Sequence, residues 1–372
     1  MTHAWVRGAV IACALIAPRA AFADEPRFTS QPFGYLRMQY IFVQDDPNVQ
    51  FIGRDDGFEL QNARVGVFGH LDRVYYFIDF DGAIDERAQI NSPQGKLGVA
   101  LRDAFADVAV SGDPPWGKWS NDRLVIRAGY FLSWANPEAQ VPDTKRELVD
   151  RPIEDRGMRP TEGWQTPGLT PGRSLGVALR IDPAPPDDGA RVGFEVAAQN
   201  GADEFASNND NNYLALSAAA LVRFPHDGWI VGAVRWNPRT VGELPFRQDE
   251  TDYTASAGAH ALAGPLSLGA GGIITHTVYN TTNGPAQNAY GAHAQALYYL
   301  PTSHPAAIGA RWDILDPSTL LTTGRVMEFT VGGLYAVPSL HVRFQLQATH
   351  VVWVPSRQIQ DDRVQLAAEV SL

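Results

Sequence analysis

The final ten residues, Arg363-Val364-Gln365-Leu366-Ala367-Ala368-Glu369-Val370-Ser371-Leu372, alternate polar or small side chains with apolar ones up to the last position. Successive side chains of a strand point to opposite faces, so this segment has one face for water and one for hydrocarbon. A closed barrel needs such a strand, because its last edge must seal against its first. The opening residues carry the pattern of an export signal. Arg7 supplies a positive start, Ala9 to Ala17 a short apolar core, and Ala21-Phe22-Ala23 the small-x-small pattern of a cleavage site. Residues 1–23 are expected to be a signal peptide cleaved after Ala23, and residues 24–372 one mature domain. The apolar run is about half the roughly 20 residues that a spanning helix requires. Cys13 lies in the segment to be removed, so the mature chain would hold no thiol, disulfide or thiolate ligand.

No later apolar stretch approaches helix-spanning length, so any membrane insertion must use strands. The slightly negative mean hydropathy fits a barrel whose inward positions are polar. The formal charge of −11 becomes about −13 when Arg7 and Arg19 leave with the signal, which argues against general nucleic-acid binding. No Ser/Gly-rich linker or charge block divides the chain, so a single domain is expected despite its length.

A period-two template finds sixteen segments. They are 33–43, 58–70, 73–82, 98–110, 122–133, 173–182, 190–199, 212–224, 228–237, 251–262, 265–278, 287–299, 305–315, 325–336, 339–352 and 362–372. An even count returns both termini to the same side. Tight turns are expected at His70-Leu71-Asp72, Pro225-His226-Asp227, Ala263-Gly264 and Val337-Pro338. Longer connections run over 44–57, 83–97, 133–172, 200–211, 237–250, 279–286 and 316–324. Short connections alternating with long ones is the pattern of periplasmic turns and extracellular loops.

The faces can be read within segments. In Val74-Tyr75-Tyr76-Phe77-Ile78-Asp79-Phe80-Asp81 the even positions are apolar, which turns Asp79 and Asp81 inward. The same parity turns Asn62, Arg64 and His70 inward against Ala63, Val65 and Val67, and Arg123 and Arg127 inward against Leu124, Ile126, Ala128 and Tyr130. His341, Arg343, Gln345, Gln347 and Thr349 oppose Val342, Phe344, Leu346 and Ala348. A charge at mid-bilayer on the lipid face costs on the order of 2–4 kcal/mol, which explains the single parity. Tyr40, Tyr130, Trp134, Trp229, Trp236, Tyr298 and Trp353 lie near segment ends and are expected in interfacial girdles.

Several stretches resemble the phosphate-selective porin (porin O/P) family. They are Phe58-Glu59-Leu60-Gln61-Asn62-Ala63-Arg64-Val65-Gly66-Val67-Phe68-Gly69, Tyr75 to Gly82, Leu101-Arg102-Asp103-Ala104-Phe105, Leu124 to Phe131, and Arg151-Pro152 followed by Asp155-Arg156-Gly157. The resemblance covers about half the chain. It implies an all-β, sixteen-stranded antiparallel transmembrane barrel, a homotrimer, and a third loop folded inward to constrict the channel. The chain departs from that pattern twice: Leu132 follows Gly129-Tyr130-Phe131 where the family often has a basic residue, and Leu372 ends the chain where an aromatic is usual.

Residues 133–172 are the expected constriction loop. They include Lys145, Arg146, Arg151, Arg156 and Arg159, interleaved with Glu147, Asp150, Glu154 and Asp155. Guanidinium groups hold oxyanions by charge and paired hydrogen bonds, whereas pairing within the loop would merely brace it. Arg37, Arg64, Arg127, Arg235, Arg311, Arg343 and Arg363 sit in strand segments, mostly at inward positions, against the wall acids Asp79, Asp81, Asp103, Asp107, Glu195, Asp313, Glu328 and Glu369. No nucleophile elbow, zinc-protease motif or phosphate-binding Gly-rich loop occurs. His276, His293 and His341 read as wall groups, so no metal, cofactor or catalytic residue is expected.

These readings converge on a passive outer-membrane channel for small hydrophilic solutes with a lean toward inorganic anions such as phosphate. Outer-membrane lipid and lipopolysaccharide would be its surroundings and small anions its traffic. The alternatives are a general or cation-tolerant porin and, from another class, a secreted β-rich binding protein.

Overall fold

The computed structural model describes residues 28–44, 56–85, 97–110, 124–158, 168–201, 209, 211–242, 247–280, 286–321, 324–354 and 361–372. Residues 1–23, expected to be a signal peptide, and Arg123 and Arg159 lie outside the described residues.

Sixteen strands follow one another round a single closed antiparallel sheet. They are β1 Phe28–Val43, β2 Gly57–Leu71, β3 Val74–Asp85, β4 Leu97–Ala109, β5 Leu124–Phe131, β6 Ser174–Ile181, β7 Arg191–Asn200 and β8 Leu214–Arg223. The others are β9 Trp229–Val241, β10 Gln248–Ala263, β11 Leu266–Tyr279, β12 Gln287–Tyr299, β13 Ala306–Asp316, β14 Arg325–Val337, β15 Val342–Val354 and β16 Arg363–Ser371. The final strand closes on the first: Tyr35 opposes Ser371 and Val43 opposes Arg363. The Leu372 amide extends that seam by donating to the Gly34 carbonyl at 2.9 Å. Closure leaves no exposed sheet edge.

The alternation reads as the sequence implies. Gln345, Gln347 and Gln365 are nearly fully buried, while their neighbours Leu346 and Leu366 are 56% and 51% exposed. Leu36, Met38, Val65, Ile78, Val331, Phe344 and Val364 extend this apolar exterior around the barrel. Inside, glutamines form a chain across three strands: Gln347 donates to Gln365 at 2.7 Å and Gln365 to Gln39 at 3.2 Å.

Tight turns lie at all four expected places, the last one reaching on from Pro338 to His341. Asp72, His226, Asp227 and His341 take φ between 51° and 59°, and Gly264 takes 61°. Asp and His are among the side chains that tolerate this left-handed region, and two-residue hairpins need it to match strand twist. His341 therefore belongs to a turn behind a short 3₁₀ segment, Pro338–Leu340, rather than to β15.

The girdle expectation holds for part of its set. Trp236 and Tyr298 are exposed on the outer face. Trp134, Trp229 and Tyr130 are instead buried, and Trp353 packs against Val326 and Val351. Trp134 joins Leu221, Trp229 and Val231 in one interior cluster. An apolar inner-wall residue needs a dry partner, and the loop between β5 and β6 supplies it.

Candidate functional site: the lumen and its inward loop

The β5–β6 connection folds into the barrel and packs on its inner wall. Asn136 starts the descent. Its side chain accepts from the Glu138 amide at 2.9 Å, opening the 3₁₀ turn Pro137–Gln140, and donates to Asp155 and the Pro171 carbonyl. A second 3₁₀ turn, Asp143–Lys145, and a short helix α1, Ile153–Arg156, follow. The returning chain is tied to α1, with the Leu169 amide donating to the Glu154 carbonyl at 2.7 Å.

Three apolar plugs seat the loop. Trp134 fills the β8–β9 cluster, Leu148 packs with Leu297 and Ala307, and Ile153 and Met158 pack with Leu315, Val326 and Val351. Wall polar groups then take the loop's backbone. Ser256 donates to the Ala135 carbonyl at 2.8 Å, Gln347 accepts from the Val149 amide at 2.9 Å, and Arg311 donates to the Asp150 and Arg151 carbonyls at 2.8 and 3.2 Å. These anchors lie on β8 to β10 and β12 to β15. The segment 138–144 lines two cavities, of about 590 and 680 Å³.

Most of the expected site residues are spoken for by other protein groups. Asp79 accepts from the Asp103 amide at 2.7 Å, and Asp81 from the Ala63 amide at 3.0 Å and from Asn62 and Arg64, so both brace the β2–β4 wall from its inner side. Arg127 makes a two-pronged bond to Asp107 at 2.7 and 2.8 Å, with its guanidinium 3.5 Å from the Phe105 ring centroid. Lys145 reaches Asp227 at 3.1 Å on an exposed turn. Arg156 grips both Glu328 oxygens at 2.7 Å, and Arg363 shares that carboxylate at 2.9 Å. Arg343 donates to the Thr144 and Arg146 carbonyls at 2.6 and 2.9 Å while pairing with Glu369 at 2.8 Å. The expected cationic ladder is therefore largely a set of clamps holding the loop. Buried guanidiniums require such pairing, and only the structure reveals which partner each finds.

Arg235 differs. It occupies an inward position of β9 between Ala233 and Asn237, and among the described residues no carboxylate grips it by a direct hydrogen bond or ion pair, although Asp252 is close enough to act on it through charge. Its carboxylate neighbour Asp252 is engaged by Arg239 at 2.9 Å and by the Thr277 hydroxyl at 2.6 Å.

The densest cluster centres on Asp143, a residue the sequence pattern did not single out. Its Oδ2 meets Arg64 Nη2 at 2.7 Å, the Tyr35 hydroxyl at 3.1 Å and Arg102 Nη2 at 3.7 Å; its Oδ1 meets Arg151 at 2.9 Å and Arg146. Arg37 and Arg343 donate to its backbone carbonyl at 3.2 and 3.4 Å, and both pair with Glu369 on the β1–β16 seam. The sequence carried one usable signal here: Tyr35, Arg37 and Arg64 share the inward parity of adjacent strands.

Electrostatics within the loop follow from these contacts. Burial alone would raise the Asp155 pKa, but Arg151, the Thr170 and Asn136 hydrogen bonds and Arg146 outweigh it and hold the carboxyl at about 2. Burial raises that of Glu154, only partly offset by its hydrogen bond to His293. Burial and the neighbouring Arg151 push Arg146 well below its usual value. Among the described residues no three His, Cys, Asp or Glu side chains are grouped to hold a metal ion.

Comparison with solved structures identifies the architecture. The Vibrio cholerae outer membrane protein OmpT in its trimer form superposes with a TM-score of 0.59 at 10% identity, over 93% of this chain and 99% of that one. The outer membrane channel DcaP of Acinetobacter baumannii gives 0.59 at 12% identity, over 93% and 97%. Salmonella typhi OmpF, solved with daunomycin, gives 0.57 at 14% identity, over 92% and 97%. At these identities the likeness is one of fold: the sixteen-stranded barrel of outer-membrane porins. No family profile and no curated protein sequence matches the chain.

Proposed function

We propose that the protein is a passive diffusion channel of a bacterial outer membrane, admitting small hydrophilic solutes with a preference for small anions. The carrying observation is the lumen itself. A polar inner wall surrounds an inward loop flanked by two cavities, and Arg235 stands on that wall without an ion-pair partner among the described residues. An apolar exterior with a wet interior suits lipid outside and water inside. A cation on the wall that no carboxylate grips directly attracts anions without binding them tightly, which is what conduction needs.

The resemblance to the phosphate-selective porins supports an anion channel and names phosphate as the first solute to test. The trimer form of the V. cholerae protein of like fold supports a homotrimer here, embedded among outer-membrane lipid and lipopolysaccharide. Export through the periplasm follows from the signal pattern of residues 1–23. Planar-bilayer recording under a KCl gradient tests the reading. A reversal potential on the chloride side is expected. A potassium-side potential would remove the anion preference and favour a general or cation-tolerant porin, and an absence of conductance in folded protein would remove the channel.

A further inference from the structure

The lowest part of the inward loop crosses one end of the barrel along a diameter. β1 and β9 stand eight places apart in a ring of sixteen strands, so they face each other across the lumen. On the β9 side the loop has two footings. Lys145 reaches Asp227 in the β8–β9 turn at 3.1 Å, and Gln140 accepts from Arg223, the last residue of β8, at 3.1 Å. On the far side the Tyr35 hydroxyl of β1 donates to Asp143 at 3.1 Å and Arg37 to the Asp143 carbonyl at 3.2 Å. Arg343, the second residue of β15, adds its bond to the Thr144 carbonyl at 2.6 Å. Held on opposite walls, residues 138–145 form a strap rather than a flap. Arg223, Asp227 and Arg343 place that strap at the end of the barrel that carries the tight turns.

The two cavities lie one on each side of the strap. The cavity of about 680 Å³ is walled by Tyr35, Arg64, Phe77, Asp103, Arg127 and Arg180, one residue from each strand from β1 to β6. The cavity of about 590 Å³ is walled by Trp229, His260, Gly269, Tyr299, Arg311 and Leu334, one from each strand from β9 to β14. The barrel residues that line both are Asp182 and Arg223, bonded to each other at 3.0 Å beside the strap's footing on β8. From the loop, Glu138, Gln140, Val141, Pro142 and Thr144 line both, which makes the strap their common partition.

We propose that the strap splits the exit of the channel into two parallel passages, one along β1 to β6 and one along β9 to β14, each carrying solutes independently of the other. The inference rests on the channel reading and adds a size limit to it: a solute must fit half a mouth, although sixteen strands alone would enclose a wider path. The linings also differ. Phe33 and Phe77, with ring centroids 5.2 Å apart, stand in the first passage. In the second, the Glu147 carboxylate accepts from the Tyr299 hydroxyl at 3.0 Å and from Gln295 at 3.1 Å.

Single cysteines test the division. Cys13 is the chain's one cysteine and lies within the expected signal peptide, so an introduced thiol is the sole target in the mature protein. S371C, at the end of β16, lines the first passage, and L262C, near the end of β10, lines the second. Each variant and the double variant are labelled with biotin maleimide, labelling is verified by mass, and single-channel conductance is recorded in planar bilayers before and after. Two similar openings in parallel predict that either label alone removes about half of the current and both together nearly all of it. Heat-modifiable electrophoretic mobility confirms folded barrels, and F33C and L334C replace S371C and L262C if either does not fold. A single label that removes nearly all the current would overturn the proposal, because the cavities would then lie in series. So would a label that removes none, or a double label that removes no more than one. An unlabelled wild-type protein with no conductance would instead sink the channel reading itself.

Discussion

Replacing Arg235 with glutamine isolates one charge at little structural cost. Arg37, Arg156, Arg343 and Arg363 each hold a carboxylate, so neutralising any of them strands a buried anion and perturbs loop and pore together. Arg235 holds none among the described residues, so its removal subtracts a charge from the wall and leaves the loop seated. In water a unit charge acting on an ion about 8 Å away is worth roughly 0.5 kcal/mol, which concentrates anions about twofold and depletes cations about as much. The anion-to-cation permeability ratio should then fall about fourfold in R235Q at 10 mM KCl, where the screening length is roughly 30 Å. The drop should shrink to about twofold at 0.1 M and vanish at 1 M, where screening acts within roughly 3 Å. Reversal potentials at the three ionic strengths, on R235Q and wild type side by side, give the ratio directly. An unchanged ratio at 10 mM, or a change equally large at 1 M, would refute the assignment of Arg235 as a wall charge that acts on passing ions.

Three further expectations follow from how the loop is held. Glu328 is shared by Arg156 at 2.7 Å and Arg363 at 2.9 Å, so E328A removes the carboxylate that two buried guanidiniums have in common and should destabilise the barrel with its loop by about 3–5 kcal/mol, read as a lower urea midpoint; an unchanged midpoint contradicts it. Gly291 lies under α1, where an added Cβ would come within 2.4 Å of the Glu154 Cβ, so G291V should unseat the helix and raise single-channel conductance; unaltered conductance means that α1 does not constrict the path. Acid should loosen the loop late. Asp155 is depressed from 3.8 to about 2, so its contribution, on the order of 2 kcal/mol, is complete above about pH 4 and is lost as pH falls through about 2. Glu154 is shifted the other way, so protonating it first relieves rather than weakens the seat. Amide exchange within residues 134–158 should stay slow down to about pH 4, and loosening already between pH 7 and 5 would contradict this ordering.

The barrel was legible in the chain because lipid and water impose period two on every strand, and a charge on the wrong parity is penalised wherever it falls. Gln345, Gln347, Arg64 and Arg343 all face inward as their parity requires. The site was legible only as an inventory. Whether Arg156 meets a solute or Glu328, and whether Arg311 meets a solute or the Asp150 carbonyl, depends on where a forty-residue loop comes to rest. Local periodicity carries no information about contacts between residues about 160 positions apart. One trace of the loop did lie in the strands: Leu221, Trp229, Val231, Leu297, Leu315, Val326 and Val351 are apolar at inward positions, where an open pore would place polar groups. Those parity violations outline the loop's footprint. Trp229 and Trp353 share the inward parity of their strands, and that parity, not the aromatic character that suits a girdle, decides where they lie. By parity each inward apolar residue requires a dry partner, and the forty-residue β5–β6 connection is long enough to provide one to both β8–β9 and β12–β15. The same logic separates structural from functional arginines: a guanidinium that finds a carboxylate or a loop carbonyl holds the constriction in place. One that no carboxylate or loop carbonyl grips, as at Arg235 among the described residues, is left to act on a passing anion.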